Sequence, residues 1–167
     1  KGDQGAHGTR IPFGGDIAGA NLDALLGAAG IDRNHTVLVA ALNQLPEAGG
    51  GEPTLRELLA PVGAYENSFA LLRDTVVATG PSLVVALGIV GLRTLAAALT
   101  QEDMLHPVMP TACRLEKLGV LRGRLTAWPA DDLPLSPTFQ QMWRDAWGTS
   151  PALAVLPLMH PSGQNMS

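Results

Sequence analysis

Three short runs of consecutive apolar residues interrupt longer stretches in which apolar positions recur every three or four residues. The first run is Thr36 to Leu42, β-branched and apolar, and it ends at Asn43-Gln44. The second is Leu83 to Leu87, closed by Gly88, and the third is Ala152 to Leu158, which delivers the chain to His160. Each has strand length and predicts a buried strand. Pro157 has no N–H to donate, so the third strand must end at an edge or bulge there. Leu125 to Trp128 is a candidate further strand.

Helical spacing fills the intervals. Leu22, Leu25, Leu26 and Ala29 share a face, with Asp16 or Asn21 as a cap and Gly30 as the stop. Thr54 begins a helix with Leu55, Leu58 and Leu59. Phe69, Leu72, Val76 and Val77 mark a helix over 68–79 that Gly80-Pro81 breaks. Another helix is predicted over 90–99. Ser136-Pro137 starts one more, with proline in its first turn, and it carries Phe139, Met142, Trp143 and Trp147. Both tryptophans are assigned to the core. The first 20 residues and Pro46 to Pro53 read as glycine- and proline-rich loops, and 101–123 shows little periodicity.

Strands apolar on both faces, separated by helices, predict a parallel sheet covered on both sides. The expectation is one α/β domain over 1–167. Its architecture would be a three-layer αβα sandwich with a central, mainly parallel four-stranded sheet. Ligands of such sheets sit beyond the carboxyl ends of the strands. Asn43, Gly88 and His160 occupy those ends, which points to one shared site.

Composition narrows the class. The chain is 46% hydrophobic but only 4% aromatic, so the core is built mainly from Ala, Leu and Val. No run approaches the roughly 20 apolar residues of a membrane span, and no membrane partner is expected. The single cysteine, Cys113, excludes an intrachain disulfide and a cysteine-rich metal site, and reads as an ordinary loop or half-buried thiol. With Lys1-Gly2-Asp3-Gln4 showing no signal-peptide pattern, a cytoplasmic protein is expected. The net charge of −4 argues against a surface that grips nucleic acid everywhere, yet allows a small basic face. Arg10, Arg33 and Arg93 are candidates for it.

The strand ends carry the candidate chemistry. Pro161 fixes the turn after His160, so the imidazole is held where it can donate to a developing oxyanion. Ser162 and the amides after it suit a phosphate. Asn43 offers a donor and an acceptor, as reading a base edge requires. Phe13, after Pro12, offers a face for stacking on an aromatic ligand. Gly88-Ile89-Val90-Gly91 lacks the dinucleotide fingerprint and the Walker lysine, and reads as close strand–helix packing. His7, His35, His106 and His160 show no paired ligand spacing, so no metal is expected. No Gly-x-Ser-x-Gly elbow is present.

Taken in order, these pieces resemble the uracil-DNA glycosylase superfamily. Gly5-Ala6-His7-Gly8 through Phe13 is similar to the stretch after its first active-site motif, where a Phe stacks on the extruded uracil. Val37 to Asn43 resembles the strand whose terminal Asn reads the uracil edge. Pro81 to Gly88 looks like its central strand and turn, and His160-Pro161-Ser162 matches its second motif. The resemblance implies a hydrolase that excises uracil from single- or double-stranded DNA without a cofactor, acting as a monomer. It assigns His160 to the leaving uracil carbonyl. It sets His7, Phe13, Asn43 and Gly88 at the base, and Ser162, Gly163, Gln164, Asn165 and Met166 at the DNA. The water-activating residue would fall in a motif before Lys1, and the role is not transferred to Asp3. The domain is therefore expected to extend past both ends. The lone cysteine separates the chain from members that hold an iron–sulfur cluster, and residues 101–132 have no counterpart. A non-catalytic binder of uracil or abasic DNA, or a nucleotide-binding α/β domain, are the alternatives.

Overall fold

The computed structural model describes residues 11–42, 66–100, 128–158 and 160–161. By contacts the chain divides into two units, one of residues 1–40 and 160–167, the other of residues 41–159. Among the described residues no helix is long and apolar enough to cross a membrane.

The first unit is built around helix α1, Ile17–Ala28. Asp16 caps it, its carboxylate accepting from the Gly19 N–H at 2.7 Å. Of the two expected caps, Asp16 takes the role, so the helix starts earlier than the leucine spacing alone indicates. The stop is a Schellman turn. Gly30 adopts φ +69°, Ile31 N–H donates to the Leu26 carbonyl, and Gly30 N–H donates to that of Gly27. A 3₁₀ turn, Arg33–His35, follows, with Asp32 accepting from the Asn34 N–H.

Beyond it the structure departs from expectation. Residues 36–40 form no strand, and Val37 and Val39 are 61% and 43% exposed. Thr36 has the extended backbone angles that its β-branched side chain favours. A strand also needs a ladder partner, and the described residues supply none.

The second unit carries the hydrophobic core. Helix α2, Glu66–Thr79, buries Leu72, Val76 and Val77. Gly80 ends it at φ +53°, a conformation that favours glycine. A Cβ at Gly80 would lie 2.4 Å from Cζ2 of Trp147. That indole also donates from Nε1 to the Val77 carbonyl at 2.7 Å, satisfying an orphan acceptor of the last helical turn. Trp147 is thus a half-exposed lid on a helix end rather than a core residue, while Trp143 is buried as expected.

Strand β1, Leu83–Leu87, passes into helix α3, Gly88–Leu99, with no loop between them. The reversal is made at Gly88 (φ +78°). Gly91 is different, because a Cβ there would meet the Ala86 carbonyl carbon at an ordinary 3.9 Å. Close packing therefore does not explain Gly91, which has room for a methyl, while the backbone angle at Gly88 favours glycine. Strand β2, Trp128–Pro129, and a 3₁₀ turn, Ala130–Asp132, lead to helix α4, Pro137–Trp147. Ser136 caps α4 by accepting from Phe139 N–H, Pro137 fills the first turn, and Gly148 closes it at φ +69°. Strand β3, Ala154–Leu158, completes the unit.

Among the described residues the sheet has three strands, in the order β1-β3-β2. β1 and β3 are parallel, with Leu83 opposite Ala154 and Leu87 opposite Leu158, whereas β2 runs antiparallel to β3. The α/β class holds, with β1 and β3 as a parallel pair. A four-stranded sheet is not found among the described residues. Among the described residues β2 pairs with Ala154 and Val155, and Pro157 lies opposite Ala86 of β1. One face of the β1–β3 pair, with Ala86 and Val155, is buried against a core of Leu72, Val76, Leu92, Leu95, Leu99, Phe139 and Trp143. On the opposite face Leu83 and Val85 are 45% and 42% exposed.

Candidate active site

In the first unit a tight turn carries Phe13. Gly14 N–H donates to the Ile11 carbonyl at 2.9 Å, and Phe13 itself has φ +57°. A bulky residue in the left-handed region is disfavoured by about 1–2 kcal/mol, so its surroundings must hold it there. Two features do so. Gly19, in the first turn of α1, lets the Phe13 carbonyl lie so close that a Cβ would be 2.1 Å from its oxygen. The Arg33 guanidinium approaches the carbonyls of Pro12 and Phe13 at 3.4 and 3.5 Å and is ion-paired with Asp23 of α1.

The same unit contains His160 and Pro161. The rings of Phe13 and His160 stand with centroids 5.6 Å apart and planes tilted by 32°. Both side chains are half-buried. Pro161 is fully buried, and its carbonyl accepts from Asn21 Nδ2 of α1 at 2.9 Å. The arrangement offers an aromatic face next to an imidazole that can donate or accept. A flat ligand could stack on the first and be polarised by the second.

Of the residues read from the sequence, the structure brings Phe13 and His160 together. Gly88 belongs to the other unit, at the start of α3. His7, Asn43, Ser162, Gly163, Gln164, Asn165 and Met166 lie outside the described residues. Asn21, Gly19, Asp23 and Arg33 are the additions. Sequence inspection offers Asn21 only as a cap and Arg33 only as one basic residue among several, because 140 positions separate Asn21 from its partner. A small cavity of about 10 Å³ in the second unit, lined by Leu95, Leu99, Leu135 and Val155, is apolar and holds at most about one water. It is a packing defect of the core and no rival to the ring pair.

The family model described as the uracil DNA glycosylase superfamily matches residues 1–167. Comparisons with curated proteins and with solved structures found no match. With the family match spanning its whole length, the chain belongs to the uracil-DNA glycosylase superfamily.

Proposed function

We propose that the protein excises uracil from DNA by hydrolysing the N-glycosidic bond of a flipped-out nucleotide, leaving an abasic site. Membership of the family implies a DNA glycosylase, a hydrolase of N-glycosidic bonds. The step from glycosylase to uracil excision rests on one observation, the half-buried Phe13–His160 ring pair.

A glycosidic bond inside a stacked duplex is out of reach, so the base must leave the stack or come from a single strand. In this reading Phe13 stacks on the uracil, and His7 and Gly88 lie at the base. Asn43 bonds its O4 and N3 edge and rejects cytosine, whose donor and acceptor are reversed. As the bond to the sugar breaks, the departing uracil gathers negative charge at O2. His160 donates a hydrogen bond there and lowers the barrier. Ser162 and the amide of Gly163 hold a phosphate, while Gln164, Asn165 and Met166 fill the gap in the stack. The reading also carries one domain over the whole chain, a monomer in the cytoplasm, and a three-layer αβα sandwich around four strands.

The test uses a uracil-containing oligonucleotide, single- and double-stranded, with alkaline cleavage of abasic sites. Wild type should cut at the uracil position. His160→Ala should slow single-turnover excision by about 10²–10³, the usual cost of one such donor. Absence of cleavage by wild type on both substrates sinks the proposal, and an unchanged rate in His160→Ala removes the role given to that residue.

A further inference from the structure

Both rings of the pair are held through backbone atoms, and both anchors lead to α1. On one side Asn21 Nδ2 donates to the carbonyl of Pro161, the residue after His160. The contact has good length, 2.9 Å, and its acceptor belongs to a residue less than 2% exposed. A buried carbonyl left without a donor is costly, so this bond constrains where the chain runs after His160. On the other side Arg33, tied to Asp23, presents Nη2 to the carbonyls flanking and including Phe13. Those contacts are long for hydrogen bonds, so the guanidinium acts chiefly by its charge on two carbonyl dipoles. Left-handed backbone at a bulky residue persists only when the surroundings over-determine it. Asn21 and Asp23, two positions apart on α1, thus fix the two walls relative to one rigid element.

We propose that Asn21 and Arg33 are positioning residues that set the separation and tilt of the Phe13 and His160 rings. The proposal deepens the uracil-excision reading and rests on it for its kinetic half. Neither residue touches the base; each acts through the ring it anchors. Displacing a reacting group by about 1 Å can cost about 10²-fold in rate, so anchors of this kind show in the chemical step rather than in substrate capture.

Asn21→Asp is the sharpest perturbation, because it keeps the shape and replaces the donor with a carboxylate that repels the Pro161 carbonyl. Arg33→Lys keeps the charge and loses the reach to two carbonyls. The first readout is the NMR spectrum of the His160 imidazole, whose ring protons feel the ring current of Phe13. Phe13→Leu supplies the reference without that current. Asn21→Asp should move the His160 signals toward their Phe13→Leu positions, and Arg33→Lys should move them part of the way. The second readout is single-turnover excision, expected to fall about 10- to 100-fold in Asn21→Asp with KM changed far less. Unmoved His160 signals in both variants overturn the proposal, whatever their melting temperatures. If Asn21→Asp does not fold, Asn21→Ala and Arg33→Lys decide by the same spectra. If wild type excises no uracil, the spectra still test the anchoring, and only the uracil reading fails.

Discussion

Two glycines on one helix make a paired prediction with opposite signs. Gly19 and Gly27 both lie within α1, and a helix interior ordinarily gains about 0.5–1 kcal/mol when glycine becomes alanine. Around Gly27 nothing lies within 4 Å of an added Cβ. Gly27→Ala should therefore be stabilising by up to about 1 kcal/mol. At Gly19 the same methyl would sit 2.1 Å from the Phe13 carbonyl oxygen and 2.9 Å from its carbon. Both atoms are backbone, and about 1 Å of separation is needed to relieve the overlap. Overpacking of this kind costs about 1–3 kcal/mol, which exceeds the propensity gain. Gly19→Ala should thus be destabilising by roughly 1 kcal/mol net, or about 2–4 °C in melting temperature for a chain this long. The displaced atoms belong to the turn that carries Phe13, so excision should fall as well, by up to about 10²-fold. Thermal unfolding and single-turnover excision, run on both variants side by side, check the pair. A Gly19→Ala protein as stable and active as Gly27→Ala would refute the close approach of α1 to Phe13.

Two further substitutions probe the second unit. Phe139 is 0% exposed at the centre of the core, and Phe139→Ala should lose about 3–5 kcal/mol in denaturant unfolding. Trp147→Phe keeps an aromatic ring over Gly80 but removes the hydrogen bond to the Val77 carbonyl. It should cost about 0.5–1.5 kcal/mol, with faster amide exchange confined at first to the end of α2.

Helix α4 was legible because every signal for it is local. Ser136 and Pro137 each act within one turn of their own position, and the structure uses both. β1 and β3 were legible as dense apolar runs, since burial in a parallel pair demands that composition. Thr36 to Leu42 has the same composition and no ladder over its described residues, because composition sets backbone preference while pairing depends on distant chain. The ring pair followed the same division. Phe13 and His160 could be named from family-like motifs, but the left-handed turn at Phe13 could not. Its supports are the missing Cβ of Gly19 and the reach of Arg33, visible only after α1 is folded.

The hydrogen bond from Asn21 to Pro161 has a consequence for when the protein can work. It joins positions 140 residues apart, and closing so long a loop costs on the order of 4 kcal/mol in chain entropy. Nothing near the bond in sequence offsets that cost, so it forms only after the intervening chain has folded. A partly folded chain can therefore hold a finished core while its two rings remain apart. Under the proposed function, a pocket whose two walls meet only after the chain between them has folded keeps partly folded copies from opening abasic sites in DNA.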